Sequence, residues 1–351
     1  MEISRLILKN FRCYGEVEVP FTQGVNPIHG KNGSGKTSLL EALYLLSTGR
    51  SFLTPHLSDL IRKDSPHFYI EVYFVRDNVG QTMSIGFDGK NRHIRYNDTP
   101  FRSLSHVLGI LPSVFYSPQD STLISGTPQE RRRFLNIQLA QTDPVYVHHL
   151  IRYHKALKNR NVLLKVKSEV AIESWERMMG ESAYYLIDKR SKLIELLRLD
   201  VAACAKDFSA TEDEFDLHYK PSIPLKKIER IEETLAEQRP KELIIGNTMI
   251  GPHRDEMEIT YKKREAKTFA SEGQKRTCIA ALKIAEWEVL RKQTATAPLF
   301  AIDDFGVHLD PERTEVLQEK LASLGQVLLT SPTSSIGGLR IDKGKLLQYV
   351  S

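Results

Sequence analysis

Residues 25–49 read Val25-Asn-Pro-Ile-His-Gly30-Lys-Asn-Gly-Ser-Gly-Lys-Thr37-Ser-Leu-Leu-Glu-Ala-Leu-Tyr-Leu-Leu-Ser-Thr-Gly49. Gly30 to Thr37 fits G-x-x-x-x-G-K-[ST] throughout, between an apolar run and a leucine-rich helical run. Each position has a physical reason. The backbone of Gly30, Lys31, Asn32, Gly33, Ser34 and Gly35 curls so that its N–H groups surround phosphate oxygens. Lys36 reaches the outer phosphates, and the Thr37 hydroxyl, followed by Ser38, meets Mg²⁺ at the positive end of a helix. The spacing therefore predicts strand, phosphate loop and helix, with ATP and Mg²⁺ as cofactors. Pro27 is discordant, since a central strand excludes proline, and only partial pairing is expected there.

The rest of the 351-residue chain has the composition of an ordinary globular protein, 41% hydrophobic and 26% charged, so collagen-like and wholly disordered classes are excluded. Lys and Arg number 49 against 44 Asp and Glu, a net charge of +5 that permits a polyanionic partner without demanding one. Cys13, Cys204 and Cys278 are far apart and odd in number, which supports neither a disulfide framework nor a zinc site and points to the cytoplasm. Glu2, Arg5 and Lys9 interrupt the N-terminal apolar residues, and no later run has the roughly 18 apolar residues of a membrane span, so no membrane association is expected.

Short β-branched or aromatic runs fill the first third: Ile3–Leu8, Val17–Phe21, Phe68–Arg76, Thr82–Phe87 and His93–Tyr96, the last two joined by Asp88-Gly89. Helical periodicity takes over from about Gln129 to Arg198, then a strand-like Phe215–Tyr219 and an acidic helix around Ile228–Leu235. Strand and helix alternate afterwards: Met257–Tyr261, Glu272–Gln293, Leu299–Asp303, Pro311–Leu324 and Gln326–Thr330. Alternation of that kind predicts an α/β protein with a mixed or parallel sheet. The expected division is a P-loop ATPase lobe from residues 1–112 and 245–351, which the motifs below liken to the ABC type, with an inserted, mostly helical second lobe, 113–244.

Leu299-Phe-Ala-Ile-Asp303-Asp304 closes an apolar run on two carboxylates. There Asp303 would act on the metal shell and Asp304 would orient or deprotonate the attacking water. His253-Arg-Asp255 and Asp304-Phe-Gly306 imitate protein-kinase motifs, but the position that a kinase fills with Asn is Thr260, and the phosphate lysine lies inside the glycine loop. Between loop and acid pair, Ser271-Glu-Gly273-Gln274 opens a long helix. It resembles the signature motif of ABC/SMC ATPases, in which one subunit's serine, glycine and helix N-terminus meet the γ-phosphate held by the other. Taken alone, the same residues are an ordinary capping pattern.

Nearly the whole chain resembles the RecF family of bacterial recombination-mediator ATPases. The resemblance rests on Leu8-Lys-Asn-Phe-Arg-Cys-Tyr14, Ser47-Thr-Gly-Arg-Ser-Phe52, Tyr116-Ser-Pro-Gln-Asp120, Gly126-Thr-Pro-Gln-Glu-Arg-Arg-Arg-Phe-Leu135 and Ile250-Gly-Pro-His-Arg-Asp255, besides the motifs above. It implies that Arg12 lies near the nucleotide, that Gln119 stands between metal and water, and that Asp310 faces a partner subunit across the nucleotide. It also implies an ATP-dependent homodimer that binds gapped DNA at a double-/single-strand junction, cooperates with RecR and RecO in loading RecA, and hydrolyses ATP slowly with stimulation by DNA. Gln119, Asn136, His308 and Thr330-Ser331 depart from common family or ABC choices, which bears on turnover rather than on nucleotide binding.

Arg131, Arg132, Arg133, Lys155, Lys158 and Arg160 concentrate positive charge in the helical insert. They form a solvated face, or contact phosphates without reading sequence; Arg131–Arg133 instead brace the interface between lobes in a third reading. With about 110 residues, the insert reaches at most about 80 Å as a helical hairpin, too short for an SMC-type bridge. An ATP-gated protein scaffold and an ABC transporter subunit are the competing functions.

Overall fold

The computed structural model describes residues 1–208, 213–223, 230–305, 311–332 and 338–350. Two compact units emerge: residues 1–121, 204–212 and 271–351 form the first, residues 122–203 and 213–270 the second.

The first unit opens with β1 (Glu2–Phe11), β2 (Tyr14–Pro20), β3 (Val25–His29), α1 (Lys36–Thr48), β4 (Phe68–Arg76), β5 (Val79–Phe87), β6 (Arg92–Tyr96), β7 (Thr99–Phe101) and β8 (Ser113–Tyr116). In β4, Phe68, Ile70, Val72 and Phe74 alternate inward, the period of a strand with one buried face. One six-stranded antiparallel sheet runs β2-β1-β4-β5-β6-β7.

The second unit contains α2 (Thr122–Ser125), α3 (Pro128–Ala140), α4 (Pro144–Lys165), most of α5 (Ile172–Phe208), β9 (Phe215–Lys220), α6 (Ile231–Ile245), β10 (Glu256–Tyr261), β11 (Arg264–Glu265) and α7 (Ala266–Phe269). The helical stretch from 129 breaks where the Asp143 carboxylate caps α4, accepting from the Tyr146 N–H at 3.0 Å, with Pro144 starting the helix. The chain returns to the first unit with α8 (Glu272–Thr294), β12 (Leu299–Ile302), α9 (Pro311–Ala322), β13 (Val327–Ser331), β14 (Gly338–Asp342) and β15 (Lys345–Val350).

A second six-stranded sheet, ordered β15-β14-β3-β13-β12-β8, is parallel except for β15. Leu39, Leu40, Ala42, Leu43, Leu45 and Leu46 of α1 are all buried, and the helix touches β4 and β5 of one sheet and β8 of the other. A helix apolar all round belongs inside a core. Gln326 joins the two sheets, donating to the Ile3 and Thr22 carbonyls and accepting from the Ile3 N–H at 2.7 Å.

Pro27 sits in the middle of this second sheet, where β3 pairs with β13 along its length but with β14 only at Ile28–Leu339 and His29–Arg340, beyond the proline. Opposite it, Gly338 is required, since a Cβ there would come within 2.3 Å of the Pro27 carbonyl oxygen.

Some placements differ from the sequence reading. Ser113–Tyr116, assigned by sequence to the insert, pairs with β12 in the first unit, because its four residues are fully buried against the strand that carries the acid pair. Glu256–Tyr261, assigned to the ATPase lobe, pairs antiparallel with β9, so the second unit carries a three-stranded sheet, β11-β10-β9, beside its helices.

Candidate nucleotide-binding site

The loop between β3 and α1 turns through Gly33 and Gly35, whose φ angles are 77° and 117°. At Gly35 a Cβ would meet Cys13 Sγ and Tyr14 Oη at 2.8 Å, and the Tyr14 hydroxyl donates to the Gly35 carbonyl at 2.9 Å. Only glycine meets both demands. A cavity of about 470 Å³ opens over this loop, lined by Arg12, Asn32, Gly33, Gly35, Lys36, Thr37, Ser38, Asp59 and Asp304 among others. The buried Lys36 ammonium donates to the carbonyls of Gly30 at 2.7 Å and Lys31 at 3.3 Å. Ser34 is buried next to it.

Asp303 follows β12, and its N–H donates to the Tyr116 carbonyl at the end of β8. Its Oδ1 accepts from the Thr37 hydroxyl at 3.0 Å and from the Thr330 hydroxyl at 2.8 Å. Burial pushes the Asp303 carboxyl above its ordinary value; the Asp304 charge adds to that, while the bonds from Thr330 and Thr37 and the Lys36 charge oppose it. Asp304 adopts φ 56° and donates its N–H to Thr330 Oγ1 at 2.9 Å. Thr330 thus holds both aspartates, a role absent from the sequence reading. Its signal was position: it is the next-to-last residue of the strand parallel to β12, where many ABC ATPases carry histidine.

The donors here suit a hard cation. Thr37 and Asp303 offer two oxygens 3.0 Å apart, and among the described residues no group of three or more His, Cys, Asp or Glu is arranged to hold a metal. An ion at this place would draw its remaining ligands from phosphate and water, the habit of Mg²⁺.

Arg12, at φ 55°, lines the cavity while its guanidinium donates to both Glu41 oxygens at 2.8 and 2.7 Å and to the Asp59 carbonyl at 3.0 Å. Glu41 is fully buried in α1 and also accepts from Ser51. A bidentate pair fixes the plane of the arginine. Glu41 was missed, although an acid inside the leucine-rich face of α1 marks it.

Ser271, Gly273 and Gln274 stand at the start of α8, where Ser271 Oγ accepts from the Gln274 N–H at 3.3 Å and Gln274 Oε1 accepts from the Ser271 N–H at 2.9 Å. The capping pattern is therefore real, and none of the three lines the cavity over Lys36. Gln119 is exposed on the short turn 118–121 after β8 and does not line it either. Asp310 and His308 lie outside the described residues. The turn next to Gln119 is tied to α8 inside the unit: Lys283 Nζ lies 3.0 Å from Asp120 Oδ1 and 3.2 Å from Glu286 Oε2, with Lys283 and Glu286 both buried.

The basic residues divide. Arg160 has no exposed surface and donates to Glu176 at 2.9 Å, Glu242 at 2.6 Å and Thr248 at 2.8 Å, so the expected DNA contact is corrected to a structural ion-pair centre. Arg131 is likewise taken by Glu256, at 2.7 and 3.0 Å, and by the Leu123 and Gly126 carbonyls. Arg132 donates to the Asp255 carbonyl at 2.8 Å and is half-buried, as is Arg133. Lys155 and Lys158 are exposed.

Among the described residues no helix is long and apolar enough to cross a membrane. A family profile described as the RecF/RecN/SMC N terminal domain matches residues 2–336. The DNA replication and repair protein RecF of Protochlamydia amoebophila is 42% identical over 337 residues, covering 94% of each chain. That of Chlamydia caviae is 37% identical over 339 residues, 94% of this chain and 92% of its own. A solved structure described as the recombination mediator protein RecF with ATP, in the RecFOR pathway, superposes with a TM-score of 0.92 at 28% identity, covering 100% of this chain and 98% of that one. An SMC head superposes with a TM-score of 0.58 at 17% identity over 100% of this chain and 98% of that one, a likeness of fold alone. A phosphate loop joined through Thr37 to Asp303, in a chain matched from end to end, places this protein in the RecF family.

Proposed function

We propose that this chain is an ATP-dependent DNA-binding protein of recombinational repair and replication-fork recovery. ATP closes a homodimer on gapped DNA at the double-/single-strand junction, and slow, DNA-stimulated hydrolysis opens it. The observation that carries the reading is the Thr37–Asp303 contact beside the buried Lys36, at the mouth of a cavity built from the glycine loop. In this reading Gly30 to Ser38 and Arg12 bind the nucleotide, Lys36 stabilises its outer phosphates, and Thr37 and Asp303 hold Mg²⁺, with Gln119 reaching it on closure. The ion would neutralise developing phosphate charge. Asp304 orients the attacking water.

Ser271, Gly273, Gln274 and Asp310 serve the partner subunit's nucleotide. That Ser271, Gly273 and Gln274 line no part of their own chain's cavity supports this division of labour. ATP acts as glue, because an anion shared by two subunits stabilises only their closed arrangement. The two units correspond, in this proposal, to an ATPase lobe and an inserted lobe working in the cytoplasm. That the solved relatives are recombination mediators of the RecFOR pathway supports RecR- and RecO-type partners; in this proposal the chain helps load RecA on single-stranded DNA.

The test is binding of a fluorescent gapped duplex with ATP, with ADP and with no nucleotide across a salt series. ATP-dependent binding that weakens steeply with salt is expected. Equal binding in all three states, or none, overturns the reading in favour of an ATP-gated scaffold. Lys36→Met is expected to abolish ATP-dependent DNA binding. Ser271→Arg is expected to spare monomer ATP binding and abolish dimerisation.

A further inference from the structure

The 22 residues of α4, Pro144 to Lys165, contain Arg152, Lys155, Lys158, Arg160 and Lys165 and not one Asp or Glu. Two of those cations are spent within the unit, Arg152 on Glu181 and Arg160 on Glu176 and Glu242. Lys155, Lys158 and Lys165 recur at helical spacing and are exposed, and none has an ion-pair partner among the described residues. His154 is exposed beside them.

The 251–254 turn adds to this face. The Tyr153 hydroxyl and His253 Nδ1 lie 2.7 Å apart, which pins the turn to α4 and leaves Arg254, the next residue, exposed. Arg132 of α3 arrives from the other side on the Asp255 carbonyl. The nearby acids face inward and are taken: Asp255 by Tyr219, Ser222 and Arg190, Glu256 by Arg131. The charge is felt by His253, which burial first, and then Arg254, His154 and Arg132, hold down to about 4. Positive charge gathered without carboxylates is a surface built for a polyanion.

We propose that the outer face of α4, with Lys155, Lys158 and Lys165, together with Arg254 on the adjoining turn, is the track on which this chain holds the phosphate backbone of duplex DNA. From Lys155 to Lys165 the helix rises about 15 Å, the length of about four phosphates on one strand at roughly 3.4 Å each. Lysine and arginine side chains that meet phosphates position a duplex and read no base sequence. The inference rests on the DNA-binding reading above and replaces Arg131 and Arg160 as its contacts.

The experiment compares the full chain with the variant Lys155→Gln/Lys158→Gln/Arg254→Gln. Binding of a gapped duplex is measured with ATP from low to moderate salt, and ATP binding is measured in parallel. A second variant, Lys155→Gln/Lys158→Gln, leaves the Arg254 bond to the Thr248 carbonyl in place. The triple variant is expected to bind ATP as before, to bind DNA at least about tenfold more weakly at low salt, and to lose about 0.9 from the slope of log affinity against log salt for each cation removed. The double variant is expected to lose about two thirds of that slope. Unchanged affinity and slope in both variants, with the parent chain binding DNA, overturns the track while the DNA-binding reading stands. A parent chain that binds no DNA in any nucleotide state overturns both.

Discussion

Thr330→Val removes a hydroxyl at nearly constant shape from a residue with no exposed surface. Two bonds go with it: the donation to Asp303 Oδ1 at 2.8 Å and the acceptance from the Asp304 N–H at 2.9 Å. A bond to a carboxylate is worth about 1.5–3 kcal/mol, and a stranded buried N–H costs about 1–3 kcal/mol. Asp303 keeps its bond from Thr37, so a net loss of about 2–4 kcal/mol is expected in the first unit. Loss of the bond also frees the Asp303 carboxylate to turn and pushes its proton affinity further up, since Thr330 is the strongest influence opposing burial there. Trp287, buried in α8 and bonded to the Pro298 carbonyl, reports the first unit by fluorescence once Trp175 is changed to Phe. Urea unfolding on that background, together with a Mg²⁺ titration of ATP binding, reads both effects. Thr330→Val is expected to unfold earlier and to need more Mg²⁺, and Thr330→Ser to restore both. Equal unfolding midpoints and equal Mg²⁺ midpoints in the valine variant would refute the reasoning.

Other outcomes follow from buried charge. Arg160→Ala strands Glu242 and leaves Glu176 to Arg239 alone, which should cost the second unit about 3–5 kcal/mol; unfolding followed through Trp175 checks it, and a wild-type midpoint would return Arg160 to the surface. Glu286 shares Lys283 with Asp120, and burial pushes its carboxyl up to about 7 from 4.5, ahead of the opposing lysine charge. The folded chain therefore keeps a proton that the unfolded chain has released, so this group makes stability fall as pH rises from about 4.5 to 7. Glu286→Gln is expected to flatten that part of the stability profile; an unaltered profile would show that the group is not the one titrating.

Local chemistry explains what could be read in advance. The strand, loop and helix around Gly30–Thr37, the apolar run ending at Asp303 and the Ser271 cap each declare themselves within about a dozen residues, the range over which periodicity and capping act. What stayed hidden depends on partners far along the chain. Arg131 and Arg160 look like surface cations until Glu256 and Glu242 are brought to them, 125 and 82 residues away. β14 and β15 lack strong alternation, and the sheet accepts them because Gly338 can lie against Pro27. Thr330 is an unremarkable strand residue until Asp303 stands beside it.

The joining of Ile3 to Gln326, and of β3 to β13, has a consequence for the newborn chain. The glycine loop leaves the ribosome early, yet its flanking strand has no neighbour until residues 327–331 emerge. At about 5–20 residues per second that wait is about 15–60 s, during which residues 122–203 and 213–270 have already been made. A chain cut short before Thr330 would carry every glycine of the loop and lack both the strand beside it and the hydroxyl bonded to Asp303 and Asp304. The glycine motif is thus complete in a truncated chain long before the strand that braces it exists.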